Sequence, residues 1–75
     1  MHYKTNPNAV TEIVSNLEYI LEELRDREPS SGHFTDNLCM LYKNNVARLI
    51  ERKRDGTARD YARLMIEWQH GNYNG

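Results

Sequence analysis

The chain holds a single cysteine, Cys39, among its 75 residues, so no disulfide can form within it. That excludes a small scaffold stapled by disulfides, and a reducing, cytoplasmic setting is the expected one. No apolar run approaches the roughly 18 residues that a membrane span requires. The opening MHYKTNPNAV has no continuous apolar stretch of the kind a signal peptide carries, so neither a membrane anchor nor an export signal is expected. Only two prolines and four glycines interrupt the chain, which leaves long segments free to form helix. Also missing are the spacings that carry chemistry. His2, His33 and His70 stand far apart, and none has a second His, a Cys or a carboxylate at a metal-binding interval on one expected element. Cys39 and His33 lack an orienting third group for nucleophilic catalysis. No metal, no cofactor and no enzymatic activity are expected.

What the chain does have is apolar periodicity. In the segment 6–27, Val10, Ile13, Val14, Leu17, Ile20, Leu21 and Leu24 recur at intervals of three and four. This places them on one stripe of a helix. Asn6 and Pro7 suit its start, as cap and first helical residue, and Pro29 limits its end to about Arg27. The stretch 28–33, EPSSGH, reads as a loop of ordinary helix-to-helix length.

A second helix is expected over 35–55, capped by Thr35, with Phe34 packing back on Cys39 as a staple. Leu38, Leu41, Tyr42, Val46, Leu49 and Ile50 form its inner stripe, and Asn45 lies at the edge. Arg52, Lys53 and Arg54 fall in its last turn, where cations suit the negative end of the helix dipole, and Gly56 ends it in the left-handed conformation. A shorter third helix follows over 57–70, started by Thr57 with Asp60 in a variant capping box and closed by Gly71. Tyr61, Leu64, Met65 and Trp68 share one of its faces, beside Ala58 and Ala62. The expected fold is all-α: one domain over 1–75, with two long antiparallel helices and a short one as a three-helix bundle, and flexible ends at 1–5 and 72–75. A chain this short buries only about 60% of its unfolded surface, so its core is small.

The net charge of −1 conceals a division. Residues 1–34 carry three basic and six acidic side chains, residues 35–75 seven basic and five acidic. The plain account is that acidic and basic helices pack side by side and pair at their rims, each pair contributing a few tenths of a kcal/mol.

Three readings of function follow. In the first, the chain is a small protein–protein interaction module. Tyr19 falls opposite the apolar stripe of the first helix, among Glu12, Glu22, Glu23 and Asp26. A ring that offers apolar area and a hydroxyl, set among carboxylates, suits a basic partner. Small inhibitors of this kind, encoded by phages and mobile elements, act by covering a basic surface of a host nucleic-acid or defence protein. In the second reading, Arg52, Lys53, Arg54, Arg59 and Arg63 bind nucleic acid. Helix two, the turn at Asp55-Gly56-Thr57 and helix three loosely resemble a helix-turn-helix over about twenty residues. The chain departs from that motif in the length of its first helix, in Arg52 where a small residue belongs, and in its slightly acidic balance. In the third, the chain is a structural subunit or homodimer, because Leu64, Ile66 and Trp68 spread apolar bulk over more than one side of the third helix.

Overall fold

The computed structural model describes residues 9–29 and 32–71, which form three helices and no strand: α1 (Ala9–Leu24), α2 (His33–Glu51) and α3 (Asp55–Gln69). Among the described residues no helix is long and apolar enough to cross a membrane. The expected helix start at Asn6-Pro7, the ends 1–5 and 72–75, and His2 lie outside the described residues.

All seven apolar positions of α1 face the interior. Ile13, Leu17, Ile20 and Leu24 are buried, and Val10, Val14 and Leu21 pack partly buried against them. Each fully buried side chain contributes about 1.5–3 kcal/mol, which a helix of this length needs, being marginal by itself. The cover comes from Leu38, Tyr42 and Leu49 of α2 and from Ala58, Met65 and Trp68 of α3. Helix α2 packs against both others.

α1 ends at Leu24, three residues before the expected Arg27. The orphan carbonyls of its last turn are taken up locally and by α3. Arg27 donates its side-chain Nε to the Glu23 carbonyl at 3.1 Å. The Trp68 indole N–H reaches the Leu24 carbonyl at 2.9 Å and the Arg27 carbonyl at 3.0 Å. A helix end that would otherwise need water is thereby closed by a side chain 44 residues away.

α2 begins earlier than expected. Gly32 precedes it at φ 141, a backbone conformation that favours glycine, and its carbonyl accepts the Asp36 amide at 3.0 Å. Thr35 is no cap: it is buried inside the first turn, where a cap position would have left it half outside. Phe34 does not staple to Cys39. Its ring is exposed and lies under the Arg27 guanidinium, 4.5 Å from the centroid, a cation–π contact across the loop.

The break between α2 and α3 also differs. Lys53, at φ 63, is the left-handed residue, while Gly56 is the second residue of α3. The Arg54 amide bonds the Leu49 carbonyl and the Lys53 amide bonds that of Ile50, both at 2.9 Å, which is the Schellman pattern. Any residue can complete that pattern at a cost in backbone strain, and the chain closes it with lysine. The helix thus ends at Glu51, not at 55, and α3 starts at Asp55, before the expected Thr57 cap. At 15 residues α3 is nearly as long as α1 at 16, so it is not a minor helix. It closes as expected at Gly71, φ 93, whose amide bonds the Trp68 carbonyl.

Two stability outcomes follow. Trp68→Phe keeps most of the ring but removes the donor to the Leu24 and Arg27 carbonyls, and should cost about 1–3 kcal/mol, read as a lower midpoint in thermal or urea unfolding. Lys53→Gly removes the strain at the α2 end and should raise stability by about 1 kcal/mol in the same assay. An unchanged midpoint for Trp68→Phe would show that water replaces the indole without loss.

Candidate functional site

Helix spacing about Tyr19 sets the geometry of the outer side of α1. Glu12, Asn16 and Glu23 stand seven before, three before and four after it, so the four side chains form one row. This row borders α2. Between the two helices runs a groove of about 230 Å³ lined by Asn16, Tyr19, Ile20, Leu38, Leu41 and Asn45. Its floor is the buried pair Ile20 and Leu38, and its walls are Tyr19, 64% exposed, and Leu41, 50% exposed.

Asn16 and Asn45 close one part of the groove. The Asn16 amide donates to the Asn45 carbonyl oxygen at 3.3 Å, and the Asn45 amide donates to the Leu41 main-chain carbonyl at 2.8 Å. Asn45, expected at the edge of the stripe, is buried, and these bonds meet the cost of placing an amide there. Among the described residues every buried side-chain nitrogen or oxygen has a partner. No carboxylate, imidazole or thiol is among the residues lining the groove, which is apolar apart from the Tyr19 phenol and the Asn16 and Asn45 amides.

The acidic residues named from the sequence separate here. Glu12 and Glu23 share the row of Tyr19; Glu22 sits further round the helix and Asp26 in the turn beyond it. Glu22 pairs with Arg25 at 3.7 Å and Glu23 with Arg27 at 3.9 Å. Both pairs are solvent-accessible and contribute little. Glu18 faces the other way, toward α3, where it accepts the Tyr61 hydroxyl at 2.8 Å.

These are the only ion pairs among the described residues, so the expected pairing of acidic and basic helices at their rims does not occur. Arg48, Lys53, Arg54, Arg59 and Arg63 are exposed and Arg52 is half-buried at the end of α2. Of the three residues named for self-association, Leu64 and Ile66 are exposed at 42% and 53%, whereas Trp68 is 4% exposed and belongs to the core of its own chain. Leu41 and Ile50, expected inside, are exposed. The inner row of α2 is Thr35, Leu38, Tyr42, Asn45 and Leu49, an unbroken three-and-four spacing once the two polar residues are admitted to it. That spacing was the signal that Leu41 lies on the wall of a groove.

His33, at the first position of α2, and His70, just after α3, are exposed, and no group of three His, Cys, Asp or Glu side chains could hold a metal among the described residues. Burial pushes the Cys39 thiol up, with Lys43 pulling against it and Asp36 adding to it. It therefore stays protonated at neutral pH, the unreactive form.

Two phenols behind the site are also displaced. Tyr42 donates to the Tyr61 carbonyl at 2.6 Å, and burial first, then the neighbouring Tyr61, raises its pKa. Tyr61 is raised by burial, by its bond to Glu18 and by the charges of Glu18 and Asp60.

Comparison with protein-family models, with curated proteins and with solved structures finds no match for the chain.

Both phenols hold their protons to higher pH in the folded than in the unfolded chain. Above about pH 10 the unfolded state therefore binds fewer protons than the native one, and stability falls as pH rises; below that it is unaffected. Tyr42→Phe should cost about 1 kcal/mol at neutral pH through the lost bond to Tyr61, yet flatten the alkaline loss. Unfolding midpoints taken across pH 8 to 11 check both parts.

Proposed function

We propose that the chain is a non-enzymatic protein–protein interaction module that receives an apolar side chain of a basic partner in the α1/α2 groove. One observation carries this reading: Tyr19 and Leu41 stand more than half or half exposed on opposite walls of a groove with an apolar floor. Large apolar side chains left in water around a concave apolar floor are the usual anchor of a protein interface. Tyrosine suits the wall because it offers wide contact area at small entropic cost and keeps a hydroxyl for the rim.

Charge names the partner. Within Ala9–Leu24 there are four glutamates and no lysine or arginine. Glu12 and Glu23 flank Tyr19 along its own row, so the approach to the groove is acidic. Such a face speeds encounter with a basic surface and disfavours an acidic one. The reading takes α1 and α2 as antiparallel neighbours. Asn16 meets Asn45, and Tyr19 and Ile20 share the groove with Leu38 and Leu41, so the numbers fall along α2 as they rise along α1. A small helical face of this charge competes for surfaces that otherwise hold nucleic acid. Inhibition of a nucleic-acid-handling or defence protein, of the kind phages and mobile elements encode, is the role that this competition supports.

The test is affinity capture with the folded chain beside two variants, Tyr19→Ala/Glu22→Lys/Glu23→Lys and Leu41→Lys. All four side chains are outside the buried core, so circular dichroism should be unchanged in both. The expected outcome is a basic protein retained by the parent chain and lost, by tenfold or more in affinity, with each variant. A partner held equally by both folded variants would remove the groove from its binding.

A further inference from the structure

We infer that the chain has a second binding surface, at the α2–α3 turn, which grips the phosphate backbone of duplex nucleic acid without reading its sequence. Arg52, Lys53 and Arg54 form the turn itself, with Arg48 one helical turn before it on α2. Arg59 and Arg63 follow on α3, four apart and so in one row. On α3 the buried positions are Ala58, Met65 and Trp68; the row of Arg59 and Arg63 lies across the helix from them and faces solvent. The segment 48–63 holds six cations against Glu51, Asp55 and Asp60. None of the six is engaged in an ion pair among the described residues.

Cations left unpaired around a rigid turn suit a polyanion, because each phosphate they neutralise releases counterions from the nucleic acid. The slight acidity of the whole chain does not oppose this. α1 carries four glutamates and no lysine or arginine, whereas the segment 48–63 has six cations against three acids, so the local charge at the turn is positive. The kind of nucleic acid follows from what surrounds the cations. No aromatic residue occurs from 48 to 60, and the first beyond, Tyr61, has its hydroxyl committed to Glu18. Single-strand binders need aromatic rings on which unpaired bases stack. A surface of cations without such rings matches a duplex, whose phosphates are presented and whose bases are already stacked. None of these residues lines the α1/α2 groove, so the surface stands independently of the proposed function.

The experiment is titration of the full chain into a short mixed-sequence DNA duplex, and into one of its strands alone, followed by fluorescence anisotropy from about 50 to 200 mM salt. Expected are binding at low salt, a loss of tenfold or more over that range, and a duplex affinity at least equal to that of the strand. Arg54→Gln/Arg59→Gln should flatten the dependence of log affinity on log salt by about two. Lys53→Gly separates charge from folding, since it stabilises the turn while removing a cation; it should flatten the slope by about one although its unfolding midpoint rises. No binding at low salt, a preference for the single strand, or slopes unchanged in these folded variants would each overturn the inference.

Discussion

The indole of Trp68 is bonded to the Leu24 carbonyl that ends α1 and to the Arg27 carbonyl in the turn after it, and the arrangement of the three helices depends on it. A core this small cannot dictate one alignment by shape alone, since apolar contacts tolerate sliding by a turn. Directional bonds resist sliding. Tyr42 on α2 donates to the main chain of α3 at Tyr61, Tyr61 donates to Glu18 on α1, and Asn16 on α1 meets Asn45 on α2. With Trp68, these bonds join every pair of helices. Three of the four donors are aromatic, so one side chain both fills the core and anchors a register. This suits a chain of few residues, where separate side chains for packing and for specificity would exceed the interior available.

The same economy explains which parts were legible from the residues. The apolar stripe of α1 could be read in full, because all its members are aliphatic and none needs a partner to be identified as inner. On α2 the inner row includes Thr35 and Asn45, and a reading that counts apolar residues alone moves Thr35 to a cap and Leu41 inward. Their burial depends on partners, such as Asn16 and the Leu41 carbonyl for Asn45, that no local pattern reveals. The helix break was misplaced for another reason. Glycine is the usual left-handed terminator, but Lys53 occupies that conformation three residues before Gly56, and the Schellman bonds close around it. Of the candidate site, Tyr19 and its acidic neighbours were visible from the spacing of α1; the groove was not, because its second wall includes Leu41, which was counted with Leu38, Tyr42 and Leu49 in the inner stripe of α2 but is exposed.

Charge is distributed as though the helices did not answer one another. Had the acids of α1 met the arginines of α2 and α3, both sets would be spent on pairs contributing a few tenths of a kcal/mol each. Instead the ion pairs of the described residues stay at the C-terminal end of α1 and the turn after it, and the core is held by apolar contact and the bonds just named. The charges on α2 and α3 thus form no ion pair with α1 among the described residues.

Exposed apolar side chains lie on both flanks of α2, since it packs against a helix on each side and fills neither junction completely. Between α2 and α3 a hollow of about 190 Å³ is bordered by Lys43, Val46, Ala62 and Ile66. Between α1 and α2 the corresponding groove is bordered by Tyr19 and Leu41 and approached past glutamates. Apolar floors alone would make these two junctions equivalent, for burial is non-directional and any apolar group satisfies it. Their rims distinguish them. For the basic partner proposed above, α1 would attract and Lys43 would repel, so under that proposal the charge around each hollow, rather than the hollow itself, selects the side of docking.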